Sequence, residues 1–154
     1  MLSIPLRRAV TITAILGAPR RGERASLNAF MTEQTSLYQR LGGYDVIAAV
    51  IDDLFAALRS DPAFARFASG RSIDSHNRAR QLLVDQMCEL SGGPCIYIGR
   101  DMKTSHSGLG ITESEWDANM RYAAEALAGN GIGEAEQTGF LALFERYRRD
   151  VVEG

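Results

Sequence analysis

From Ser36 onward the apolar positions recur every three or four residues, the spacing that gathers side chains onto one face of an α-helix. Leu37, Tyr38 and Leu41 make one short face, stopped by Gly42-Gly43. Ile47, Val50, Ile51, Leu54, Phe55 and Leu58 predict an amphipathic helix of about three turns. Asp61-Pro62 ends it, because the residue before a proline avoids helical backbone. Phe64 and Phe67 pair within a turn-rich stretch that runs to Ser72. Asp74 or Ser75 is placed to cap a third helix, with Leu82, Leu83, Met87 and Leu90 on its buried side and Gly92-Gly93-Pro94 at its end. After a loop over Cys95–Ser105, Thr112 and Glu115 have capping-box spacing and open a fourth long helix faced by Trp116, Met120, Ala123 and Leu127. Gly129-Asn130-Gly131 breaks that helix, and Phe140, Phe144, Tyr147 and Val151 mark a last one. No alternating apolar-polar run of useful length occurs, so the fold class is all-α.

The first thirty residues do not follow this pattern. Arg7, Arg8, Arg20, Arg21 and Arg24 stand against Glu23 alone, around an Ala9–Ala18 stretch whose apolar character is diluted by Thr11 and Thr13. The segment reads as an extension upstream of a true start at Met31, as a weak targeting segment, or as a functional arm. Each reading keeps residues 1–34 out of the core and leaves one domain over 35–154. The expected location is cytoplasmic, or periplasmic if the segment is a signal.

Composition narrows the class further. A chain of 154 residues with 45% hydrophobic residues, 23% charged residues and a net charge of −2 is long and apolar enough for one buried core. It is too apolar for a disordered chain, and with two cysteines it is not a disulfide framework. No apolar run approaches the roughly 20 residues of a membrane span. Beyond residue 30 the chain is acidic, and Lys103 is its only lysine, which argues against nucleic acid as a partner.

Few residues are left to carry chemistry. His76 and His106 lie in no zinc-binding frame. Gly92-Gly93-Pro94 lacks the Lys and Ser/Thr of a phosphate loop, and Asp52-Asp53 reads as a solvated face. Cys88 sits at core spacing and is expected as a buried structural thiol, with a Cys88–Cys95 bridge left open. His106 differs from His76 in its setting, between Met102 and the Gly108-Leu109-Gly110 run. A neutral imidazole ligates haem iron well, and one protein ligand suffices because the porphyrin supplies the other nitrogens.

Ser36-Leu37-Tyr38-Gln39-Arg40-Leu41-Gly42-Gly43, followed by Gly92-Gly93-Pro94-Cys95-Ile96-Tyr97-Ile98-Gly99-Arg100-Asp101-Met102-Lys103-Thr104-Ser105-His106, resembles the truncated haemoglobins, their first group most closely. The resemblance spans about residues 35–152. It implies a two-over-two helical sandwich holding one haem b, with His106 as the proximal iron ligand. Met102 and Trp116 would pack against the porphyrin, and Tyr97, Arg100 and Lys103 would meet its propionates. Phe67 or Ala68 takes the stacking position. On the distal side the family's usual tyrosine is replaced by Phe55, and Gln81, Leu82, Leu83, Gln86 and Met87 are the candidates from the third helix, with Leu82 or Leu83 over the iron. Asn119 could add a polar group from the fourth. The implied function is reversible binding of oxygen, carbon monoxide or nitric oxide by a carrier, store or scavenger, monomeric or weakly dimeric. Nitric oxide dioxygenation with a reductase partner, or a peroxidase-like activity, is the alternative. A haem-free helical interaction module is the second. Without a tyrosine hydroxyl, oxygen release is expected to be faster than in tyrosine-bearing relatives, unless a glutamine or Asn119 substitutes.

Overall fold

The structure, a computed structural model, describes residues 35–154 and, ahead of them, Gly22 alone. The readings offered for residues 1–34 therefore lie outside the described residues. The helical unit runs from Ser36 to Gly154.

Helix α1 (Leu37–Leu41) starts at a capping box in which the Ser36 hydroxyl accepts the Gln39 N–H and the Gln39 side chain accepts the Ser36 N–H. It stops at Gly42, whose φ of 104° lies in the region that favours glycine. Helix α2 (Tyr44–Ser60) ends where Asp61-Pro62 predicts. The Asp61 carboxylate then accepts the Ala63 N–H and starts a 3-10 turn, Pro62–Phe64, which leads into the short α3 (Ala65–Ala68). Helix α4 (Ile73–Leu90) is capped by Ser72, not by Asp74 or Ser75. The Ser72 hydroxyl accepts the Ser75 N–H at 3.2 Å, and Asp74 falls in the first turn, where a carboxylate suits the helix dipole. Helix α5 (Met102–His106) follows a loop, and α6 (Glu113–Gly129) opens with the expected Thr112/Glu115 capping box.

The single last helix expected from Phe140, Phe144, Tyr147 and Val151 is two helices, α7 (Glu134–Glu145) and α8 (Arg148–Val151). The residues at the break, Arg146 and Tyr147, keep near-helical backbone angles, so the apolar spacing runs through it unbroken. Among the described residues there is no strand, and no helix is long and apolar enough to cross a membrane.

Helix α2 packs on both α4 and α6, α6 packs on α7, and α7 reaches back to α1 and α4, the two-over-two arrangement. Ile47, Val50, Ile51 and Leu54 of α2 meet Val84, Met87 and Cys88 of α4, Ala123 and Leu127 of α6, and Phe140 of α7 in the core. Each such side chain contributes roughly 1.5–3 kcal/mol by leaving water. On α4 the buried stripe is thus Val84, Met87 and Cys88, one residue off from the expected Leu82 and Leu83, which are only half-buried. Cys88 is not a free thiol: it is bonded to Cys95. Gly93 lies inside that small loop, where a Cβ would fall 2.5 Å from the Tyr38 ring and 2.7 Å from Cys88 Sγ, so no larger residue fits.

Candidate functional site

The half-buried α4 leucines face a cavity of about 510 Å³, within the ~300–1,000 Å³ usual for cofactor sites. Its walls come from α2 (Leu54, Phe55, Leu58), the turn after it (Phe64, Phe67, Ala68), α4 (Leu82, Leu83, Gln86), α5 (Met102, His106) and α6 (Trp116, Asn119). Most of these groups are apolar or aromatic, and Arg59, Arg71, His76, Asn77, Arg80 and Glu115 add polar groups to the lining.

His106 is fixed by its own turn. Its Nδ1 lies 2.9 Å from the Met102 carbonyl. A carbonyl oxygen has no proton to give, and the Ser105 hydroxyl, 3.1 Å from the same nitrogen, gives its own to the Asp101 carbonyl, so in the neutral ring these contacts fit a hydrogen on Nδ1. The neutral ring then keeps its free lone pair on Nε2. This partner sets the tautomer and orientation in the way that outer hydrogen bonds set metal-binding histidines. The turn is itself well anchored. Asp101 caps α5 by accepting the Thr104 N–H at 2.8 Å and the Thr104 hydroxyl at 2.7 Å, and those bonds hold its carboxyl below the ordinary range. The following loop is gripped by Glu153, whose carboxylate accepts the Gly108 and Gly110 N–H groups at 2.8 and 2.6 Å. Those two backbone bonds hold Glu153 low as well.

The α4 wall is different. Gln86 is only 6% exposed, yet its amide makes no hydrogen bond to another described residue. No side-chain nitrogen or oxygen that is sealed from solvent lacks a partner among the described residues. The Gln86 amide therefore opens onto the cavity. Asn119, half-buried on α6, lines the same space and is likewise unpartnered.

The other residues singled out by sequence divide into two groups. Phe55, Phe67, Ala68, Leu82, Leu83, Tyr97, Met102 and Trp116 all line the cavity. Trp116 donates its indole N–H to Glu145 at 3.1 Å. Tyr97 donates its hydroxyl to the Arg100 carbonyl at 2.6 Å, and burial raises its pKa. Met87, Gln81, Arg100 and Lys103 lie off the cavity wall. Met87 is in the core, and Gln81 is exposed, donating to the Tyr44 hydroxyl at 2.8 Å and to Asp85 at 3.0 Å. Arg100 and Lys103 are exposed.

Sequence reasoning missed Leu109, Ile111, Phe144, Tyr147 and Val151 as lining residues. Helical spacing marked the last three as inward-facing, but the same spacing serves a solid core and a hollow one. It also missed Arg66, whose guanidinium stacks 4.0 Å above the Phe67 ring, binds both oxygens of Glu115 and donates to the Gly110 carbonyl at 3.0 Å. With Arg66 and Thr112 on it, Glu115 is held down to about 2.

The helical sandwich and its histidine-bearing cavity define a class, and comparison with known proteins agrees. Residues 36–153 match the family model of bacterial-like globins. The group 1 truncated haemoglobin of a Nostoc species is 31% identical over 104 residues, 68% of this chain and 85% of that protein. The counterpart from Mycolicibacterium paratuberculosis is 29% identical over 100 residues, 65% of this chain and 71% of its own. Among solved structures, the truncated haemoglobin of Tetrahymena pyriformis in its Fe(III) form has the same fold, with a TM-score of 0.71 at 22% identity, covering 78% of this chain and all of that one.

The chain belongs to the bacterial-like globin family, among its group 1 truncated haemoglobins. Members of that family carry haem, as a rule haem b, and bind gaseous ligands. The residues present here fit the group: a largely apolar cavity of adequate volume and an imidazole with Nε2 free.

Proposed function

We propose that this protein binds a diatomic gas reversibly, with His106 as the proximal ligand of haem b and Gln86 as the polar contact to the gas. The bound haem supplies the iron at which the gas is held. The chain supplies the rest. The Met102 carbonyl keeps the proton on His106 Nδ1, so that Nε2 faces its task unprotonated. Phe55, Leu82, Leu83 and Trp116 keep water away from the cavity, and none of them offers a donor to its interior, since the Trp116 N–H is taken by Glu145. The Gln86 amide, with Asn119 as a second candidate, is left to donate to a gas that carries partial negative charge. The observation that carries the reading is this pairing of a histidine held through its Nδ1 and a buried amide that has no partner among the described residues. A haem-free interaction module would have no use for either.

The test is an absorption spectrum of hemin-reconstituted protein, oxidised, reduced and under carbon monoxide, beside His106→Ala. A Soret band that moves with carbon monoxide, and a proximal-histidine signature lost in the variant, is the expected result. Failure of the wild type to take up hemin would overturn the reading.

A further inference from the structure

The charged groups around the cavity are unevenly matched. Among the described residues its lining includes one acid, Glu115, and that is engaged by Arg66. The lining also includes three arginines: Arg59 in the last turn of α2, Arg71 just before α4, and Arg80 on α4. Arg80 is paired, its Nε and Nη2 donating to the two oxygens of Asp52 at 2.7 and 2.8 Å. Arg59 feels the charge of Asp52, but both oxygens of that carboxylate are already taken. Neither Arg59 nor Arg71 makes a side-chain hydrogen bond or ion pair with another described residue. His76, in the first turns of α4, stands with them on the lining, and its ring too has no partner.

We propose that Arg59 and Arg71, with His76 beside them, form the mouth of the cavity and bind the two propionate carboxylates of haem b. The inference rests on the haem reading above and adds to it the orientation of the cofactor. Two unpaired guanidinium groups offer the two cations that a dianionic edge requires, and the planar fork of each suits a carboxylate. The residues first suggested by sequence do not supply that match. Arg100 and Lys103 lie off the cavity, and the Tyr97 hydroxyl is committed to the Arg100 carbonyl. The α5 side of the cavity therefore presents the ligand, and the end of α2 with the start of α4 presents the cations.

Loss of cofactor to excess apomyoglobin tests this without reference to gas binding. It is measured for protein loaded with hemin and with hemin dimethyl ester, whose propionates are capped and uncharged. The wild type should lose the ester about tenfold faster than hemin, the scale of two partly exposed charge pairs. In an Arg59→Gln, Arg71→Gln double variant the two rates should converge, and each single variant should fall between. Added salt should narrow the wild-type gap. An Arg100→Gln, Lys103→Gln variant should keep the full gap. An unchanged gap in the Arg59/Arg71 variant, or a gap that closes in the Arg100/Lys103 variant, overturns the assignment and leaves the haem reading standing. A wild type that takes up neither cofactor overturns both.

Discussion

On the α5 side of the cavity polar groups are spoken for: His106 Nδ1 by the Met102 carbonyl, Thr104 by Asp101, the Gly108 and Gly110 N–H groups by Glu153. On the α4 side Leu82 and Leu83 offer no polar group, Arg80 is paired with Asp52, and Gln86 offers an amide with no partner among the described residues. The contrast separates two tasks. A metal ligand must be held in one orientation before the metal arrives, and that takes outer hydrogen bonds. A group that greets a transient guest must keep a donor free, at the cost of an unmet hydrogen bond when the guest is absent.

The largest effect should come from removing the anchor on the ordered side. His106→Gly should release haem far faster than wild type, beyond the roughly 10–100-fold typical of losing an outer-shell partner. Imidazole in the buffer should restore the wild-type spectrum by filling the vacated ring position. A His106→Gly protein that retains haem as tightly as wild type would show that α5 is not the anchor.

The second test falls on the open side. Gln86→Leu should speed oxygen release by about ten- to a hundredfold, the worth of one ~1.5–3 kcal/mol hydrogen bond to a partly charged acceptor. Asn119→Leu on the same background shows whether the second amide shares the load. Stopped-flow rates unchanged in both variants would erase the difference between the walls. A smaller change in the opposite direction should follow from Phe55→Tyr, which adds a hydroxyl to the α2 face of the cavity. If that hydroxyl reaches the gas, release slows by about tenfold. If it bonds only to Gln86, release quickens.

How far these walls could be read beforehand follows from the same contrast. The all-helical architecture was legible because apolar spacing, glycine stops and the Thr112/Glu115 capping box are local signals, though the spacing ran α7 and α8 together. The role of α4 was harder to read. Leu82, Leu83, Val84, Gln86, Met87 and Cys88 form a nearly continuous stretch, and a one-residue rotation decides which of them face the core and which the cavity. No local signal fixes that rotation; the contacts with α2 and α7 do. The partners of Arg66 and Glu153 are long-range, and a single sequence carries no trace of who bonds whom across more than 40 residues.

The smallest expected effect belongs to the link that ties α3 to α6 and to the loop after α5. Arg66 reaches from α3 to Glu115 on α6 and to the Gly110 carbonyl in the loop that Glu153 grips. Because Glu115 is depressed to about 2 in the folded protein, its contribution to stability is fully present above the ordinary carboxylate range. That contribution is lost progressively as the pH falls through that range toward 2. The Arg66 side chain is 46% exposed, so solvent screens the pair and the effect stays modest. Glu115→Gln tests it, because a glutamine oxygen keeps the capping bond from the Thr112 N–H while the charge and one of the two acceptors toward Arg66 are lost. Urea unfolding of wild type and variant should differ most near neutral pH and converge as the pH approaches 2. A difference that persists undiminished at the acid end would mean that shape, not charge, holds α3 against the loop, and that this strap belongs with the ordered side of the cavity.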